Sequence, residues 1–233
     1  NIEIFRDTEK LCKTNPVLLK AWKDSSSKQK LILENEEISA EKNIYEQPAK
    51  IVVSKKRTFE AAMAYEDKKV AVLNFASASN PGGGVVNGSS AQEECLCRCS
   101  TLYYNLTEDD MWKKFYLPHR HAANPIHNDD LIYTPDVVIF KSDTSYPTIM
   151  PEKKWKKVNV ITCAAPNLRE RPGNSYNSGD GNKAIKISDK QLEQIHITRG
   201  RKILEAAATD KNEVVILGAF GCGAFMNDPK VVA

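Results

Sequence analysis

The feature that most constrains this chain is a set of short apolar runs at 70–75, 137–140, 158–163 and 214–217, separated by segments of helical character. Runs of this length and composition read as buried strands. Buried strands alternating with helices predict an α/β fold whose mainly parallel sheet is covered on both faces. Helices are expected at 4–23, broken at Asn15-Pro16, and at 57–66, 90–104 and 188–209. The last of these carries Gly200 in its interior and turns Ile195, Ile203 and Leu204 toward the core. A short strand is expected at 50–54, and 24–30 reads as polar and exposed. No internal repeat or convincing linker divides the 233 residues, so one domain is expected.

Composition narrows the function classes. With 33 basic and 30 acidic residues the net charge is only +3, which argues against strong non-specific attraction to nucleic acid. No stretch approaches the roughly 20 apolar residues of a membrane span. Cysteines at 12, 95, 97, 99, 163 and 222 are too sparse for a disulfide framework and read as reduced thiols. Zinc held by Cys95, Cys97 and Cys99 with His119, His121 or His127 is the weaker alternative, because the usual C-x-x-C or H-x₃-H pairs are absent. The segment 117–127 reads as a histidine-bearing surface loop.

In such sheets ligands sit beyond the carboxyl ends of the strands. Loops 76–88, 164–181 and 218–225 each follow a strand and are expected to project toward one end. The first contains Gly82-Gly83-Gly84 ahead of a helix start. There glycine lets the backbone approach a ligand, and free N–H groups favour an anion. Gly218, Gly221 and Gly223 suit a backbone wrapped around a diphosphate. Ser90 and Glu93 fit a capping box. Glu94 lies about 100° further round the helix and is left unexplained by capping; a solvated surface acid is the ordinary reading. Phe225 reads equally well as a core plug or a ligand contact. Asp228-Pro229 reads as an N-cap followed by a first-turn proline.

These segments resemble the bacterial-type poly(ADP-ribose) glycohydrolases of the macrodomain superfamily. The family pattern is a glycine triplet, six to eight residues and Gln-Glu-Glu; here Gly82-Gly83-Gly84, seven residues and Gln92-Glu93-Glu94 match it. Similarity extends through Leu73-Asn-Phe-Ala, Cys97-Arg98, Leu102-Tyr103, Ile161-Thr-Cys-Ala-Ala-Pro-Asn167 and Gly221-Cys-Gly-Ala-Phe225-x-Asn-Asp-Pro229.

The resemblance implies a macrodomain-like three-layer α/β/α sandwich over 1–233 with a mixed, mainly parallel sheet. It also implies an N-terminal helical extension over about 1–50, and a C-terminus short of the family's. Glu94 would be catalytic, with Glu93 positioning the ribose. Asn80, Gly82, Gly83, Gly84, Val85, Gln92, Gly218, Gly221, Cys222, Gly223, Ala224 and Phe225 would contact ADP-ribose, with neither metal nor cofactor. The reaction implied is hydrolysis of ribose–ribose O-glycosidic bonds. Removal of single ADP-ribose groups from protein or nucleic acid, and non-catalytic ADP-ribose reading, are the alternatives. Expected partners are ADP-ribose and poly(ADP-ribose) on proteins, with ADP-ribosylated nucleic acid as a further substrate and no membrane. A monomer in the cytoplasm, or in the nucleus of a eukaryote, is expected.

Overall fold

The computed structural model describes residues 1–38, 45–174 and 179–233. Residues 39–44, within the charge-rich stretch 24–46, and 175–178, within the 164–181 loop, lie outside the described residues.

The core is a five-stranded sheet: β1 (Lys30–Ile32), β2 (Val70–Phe75), β3 (Leu131–Ile139), β4 (Lys156–Cys163) and β5 (Val214–Ile216), in the order β1-β3-β4-β2-β5. β4, β2 and β5 pair in parallel, while β3 pairs antiparallel with both β1 and β4. Four of the five strands therefore run the same way, which is the mixed, mainly parallel sheet expected.

Both faces are covered. Val70, Val72, Val158 and Val160 face a cluster with Phe5, Phe59, Leu96, Leu102 and Phe115. The alternate residues Ala71, Leu73, Ile161 and Cys163 face Ile203, Ala206 and Ala207. The first cluster is built by α1 (Ile2–Thr14), α3 (Thr58–Met63), α4 (Gln92–Cys99) and α5 (Leu102–Leu106); α8 (Asp189–Thr209) supplies the second. α2 (Pro16–Ser26) starts where Asn15 caps the N–H groups of Val17 and Leu18 ahead of Pro16, the break read from the sequence. α6 (Asp109–Met111) runs through a π-helical turn (Trp112–Tyr116) into α7 (Leu117–Ala122), and α9 (Pro229–Val232) starts at the Asp228 cap.

Several expectations are corrected. Residues 50–54 form no strand, and Ile51 and Val53 are about 90% exposed (89% and 94%); β-branched residues without a partner strand have no ladder to join. β3 begins six residues before the apolar run at 137, because Pro135 and Asp136 sit in a bulge between Thr134 and Val137, where the missing proline N–H costs nothing. The helix expected over 90–104 is broken at Ser100, which is extended and bridges Ile139, so α4 and α5 are separate. β5 is half-buried rather than buried, being an edge strand. Leu204 lies on the outer face of α8, 48% exposed, while Ile203 is buried. Ser25, inside the stretch read as exposed, is buried and donates to Pro135 O.

Candidate active site

Because β4, β2 and β5 are parallel, the loops leaving their carboxyl ends meet at one edge of the sheet. Loop 76–88 follows β2, loop 164–181 follows β4 and loop 218–225 follows β5, as expected.

The first loop leads into α4, whose first turn carries Glu93 and Glu94. Both are buried, at 3% and 7% exposure, so neither is a solvated surface acid. Glu93 accepts from Asn74 Nδ2 at 3.2 Å, Ser77 N at 2.8 Å and the Gly82 N–H. Glu94 accepts from Gly84 N at 2.9 Å through Oε1, while its buried Oε2 has no hydrogen-bond partner among the described residues. The two acids bracket Gly83: a Cβ added there would stand 2.5 Å from Glu94 Oε1 and 3.2 Å from Glu93 Oε2. Its φ of +57° is a second reason for glycine. The capping box is not formed. Ala91 is the N-cap, and the Glu93 carboxyl is drawn inward by the Asn74, Ser77 and Gly82 donors.

Burial, and then the neighbouring Glu94 charge, pushes the Glu93 carboxyl up to about 8 against the opposing pull of its N–H donors. Every Glu93 oxygen already receives an N–H, while Glu94 Oε2 receives none among the described residues.

The glycine triplet therefore does something different from the expected phosphate cradle. The N–H groups of Gly82 and Gly84 serve the two acids, Gly83 N donates to Asn80 O and Val85 N to Gly82 O. Val85, read as a ligand contact, is fully buried in the core. Gln92, also read as one, clamps the end of β2: its Oε1 accepts from Phe75 N at 2.9 Å and its Nε2 donates to Leu73 O at 2.7 Å.

Loop 218–225 is built differently. Gly221, at φ +78°, packs against Ala165 and Asn227, and Gly218 packs on the Phe75 ring. The N–H groups of Gly223, Ala224 and Phe225 have no partner among the described residues, and Gly223 and Ala224 are exposed. Cys222 is half-buried, its N–H donating to Ala219 O. Phe225 is half-buried with its ring 5.9 Å from that of His127. A buried carboxyl group can deliver a proton, and a loop whose N–H groups lack partners among the described residues can hold an anion.

The match to known families decides what this arrangement belongs to. The catalytic domain of microbial-type PARG, poly(ADP-ribose) glycohydrolase, matches residues 3–142, more than half of the chain. The chain belongs to the microbial-type PARG family. Among solved structures, the Thermomonospora curvata enzyme is similar at 27% identity and a TM-score of 0.79, over 99% of this chain and 83% of that one. Its complex with the inhibitor ADP-HPD matches at 28% identity and a TM-score of 0.77 over the same shares. The Deinococcus radiodurans enzyme in complex with ADP-ribose matches at 32% identity and a TM-score of 0.69, over 90% of this chain and 80% of that one. No curated protein matches the chain.

In this PARG-family chain several supporting residues went unread in the sequence. Asn74 and Ser77 hold Glu93. Asn227 donates to Pro166 O at 2.6 Å and to Phe225 O at 3.2 Å, tying the 218–225 loop to the one after β4. Asp180, 1% exposed, accepts from Asn167 Nδ2 at 2.7 Å and lies 3.2 Å from His127 Nε2. The expected surface loop at 117–127 is mostly helix, and both His119 and His127 are buried. Polar residues at strand ends carry a usable signal, since a buried Asn in a strand needs a partner. Among the described residues no three His, Cys, Asp or Glu side chains converge as a metal site, and no helix is long and apolar enough to cross a membrane.

Proposed function

We propose that this chain hydrolyses poly(ADP-ribose) on proteins, cleaving ribose–ribose O-glycosidic bonds to release ADP-ribose, with Glu94 as general acid and then general base. The observation that carries the reading is the buried pair, in which only Glu94 presents a carboxyl oxygen without a donor. The unspent N–H groups of Gly223, Ala224 and Phe225 take the diphosphate, and Phe225 lies against the terminal ribose. Asn80 at the start of the glycine loop binds that ribose.

The steps follow from charge. Proton transfer from Glu94 Oε2 to the departing ribose oxygen breaks the glycosidic bond while positive charge develops at the anomeric carbon. The bound diphosphate stabilises that cation. Glu94, now a carboxylate, takes a proton from the attacking water, which forms the new C–O bond and restores the starting state. Desolvation within the closed pair strengthens each of these interactions.

A polymer-release assay on wild type and Glu94→Gln tests the reading, with ADP-ribose affinity measured by calorimetry. The variant should lose about 10²- to 10⁴-fold in kcat, the range for a positioned proton donor, while affinity stays within a few-fold. Full release by the Gln variant would end the proposal. Binding without release by wild type would instead indicate an ADP-ribose reader.

A further inference from the structure

The loop after β4 carries Gly179-Asp180-Gly181, and both glycines are forced. A Cβ on Gly179 would stand 2.6 Å from Arg120 Cα and 2.7 Å from Ser79 Cβ; one on Gly181, at φ +69°, would stand 2.6 Å from Ala123 O. This close passage seats the buried Asp180 carboxyl where the loops of the site meet. Its Oδ2 accepts from Asn167 Nδ2 at 2.7 Å, in its own loop. Its Oδ1 accepts from Ser79 Oγ at 3.5 Å, in loop 76–88, and lies 3.2 Å from His127 Nε2, at ion-pair distance but out of hydrogen-bond alignment.

His127 carries the connection to the third loop. Its backbone is left-handed, at φ +59°, and its Nδ1 donates to Ala165 O at 2.8 Å, a carbonyl that can only accept. Arg199, buried on α8, donates to Ile126 O and Ala164 O, just before His127 and Ala165, so both backbone stretches are held independently of the imidazole. The His127 ring packs 5.9 Å from the Phe225 ring at 51°. The Phe225 carbonyl is already fixed, accepting from Leu168 N at 2.9 Å and Asn227 Nδ2 at 3.2 Å. What remains to be set is the plane of the Phe225 ring.

We propose that His127, held by Asp180, is a positioning residue that sets the Phe225 ring against the terminal ribose. The inference rests on the reading that Phe225 lies against that ribose. Asp180 also takes the Ser79 hydroxyl, three residues before Gly82 in the loop that holds the acids. One buried carboxyl group therefore ties the ring that orients the ribose to the loop that orients the proton donor. Their mutual placement is what a proton transfer to the departing oxygen requires.

The test uses the full chain and reads kcat and KM for polymer release, ADP-ribose affinity by calorimetry and the thermal midpoint. The variants are His127→Asn, Asp180→Asn, Phe225→Ala, and His127→Asn combined with Phe225→Ala. Asparagine suits position 127 because it tolerates a left-handed φ and its NH₂ can donate to Ala165 O. The ring is lost while the backbone is kept. His127→Asn and Phe225→Ala should each lower kcat about 10- to 100-fold, up to the scale of a 1 Å misplacement. Affinity for ADP-ribose should stay within about fivefold, and the His127→Asn midpoint should hold. Asp180→Asn should cost about three- to tenfold in kcat, since its Oδ1 can still accept from Ser79. Because His127 acts through Phe225, the double variant should be within about threefold of Phe225→Ala alone. A merely structural His127 would lower the midpoint and leave the kcat of the folded enzyme unchanged. Wild-type kcat in His127→Asn, or effects that multiply in the double variant, would each overturn the inference. Wild-type kcat in Phe225→Ala beside an inactive Glu94→Gln would overturn it together with the Phe225 assignment, and leave the hydrolase standing. If His127→Asn does not fold, Asp180→Asn, alone and combined with Phe225→Ala, decides by the same comparison.

Discussion

The two glycine-rich loops at the edge of the sheet look alike in sequence and do different things. Loop 76–88 spends its N–H groups internally: Gly82 on Glu93 and Gly84 on Glu94. Loop 218–225 leaves the N–H groups of Gly223, Ala224 and Phe225 without partners among the described residues. Glycine is needed in the first so that a carboxyl group can lie against the backbone, and in the second, at Gly221, because φ is +78° and a Cβ would meet Ala165 and Asn227. Glycine content therefore signals close approach, but not what approaches.

That contrast can be broken by substitution. The largest effect is expected from Gly83→Ala, where the new Cβ would collide with Glu94 Oε1 at 2.5 Å and φ is +57°. Displacing the acid by about 1 Å should cost about 100-fold in kcat, with ADP-ribose affinity nearly unchanged in calorimetry. A Gly83→Ala enzyme with wild-type kcat would mean that the triplet does not hold the acid. Next comes Gly221→Ala, at φ +78° with Ala165 Cβ 2.6 Å from the added carbon. Distorting this loop should weaken ADP-ribose binding about tenfold, equivalent to about one or two hydrogen bonds, and leave the pH profile of kcat in place. If it shifted that profile instead, the division of labour between the loops would be wrong.

A smaller effect sharpens the comparison through pH. With Glu93 raised from its usual 4.5 to about 8, the pair keeps its last proton below that pH, so kcat should fall on an alkaline limb near 8. In Glu93→Gln the raised carboxyl is gone, and the limb near 8 should disappear. Asn74 can accommodate the change by turning its amide, since its Oδ1 has no partner among the described residues. The sign for stability is the same. A carboxyl whose folded value is raised is favourable when protonated, so wild-type stability declines as pH rises from 4.5 through 8, and Glu93→Gln should flatten that decline in thermal unfolding. The smallest effect is Gly223→Ala. Its φ is not in the left-handed region and a Cβ meets nothing within 4 Å, so stability should stay within about 0.5 kcal/mol.

Much of the scaffold was legible before any coordinates. The runs at 70–75 and 158–163 are strands buried on both faces, and such strands announce themselves by composition alone. The Asn15-Pro16 break and the Asp228-Pro229 start are local, set within four residues by one side chain and the next N–H groups. The errors fell where distant partners decide. Ser100 leaves the helix because Ile139 offers it a bridge, and 50–54 is no strand because no edge receives it.

The sequence by itself determined the runs that become β2 and β4, the helix starts at Asn15-Pro16 and Asp228-Pro229, the Gly-Gly-Gly and Gln-Glu-Glu spacing and hence the family, because these depend on neighbours along the chain. Only the tertiary structure decided which acid keeps a free oxygen and which loop N–H groups are left without partners among the described residues. The first depends on Asn74 and Ser77, whose contacts with Glu93 exist only once β2 and α4 have packed and water has been excluded.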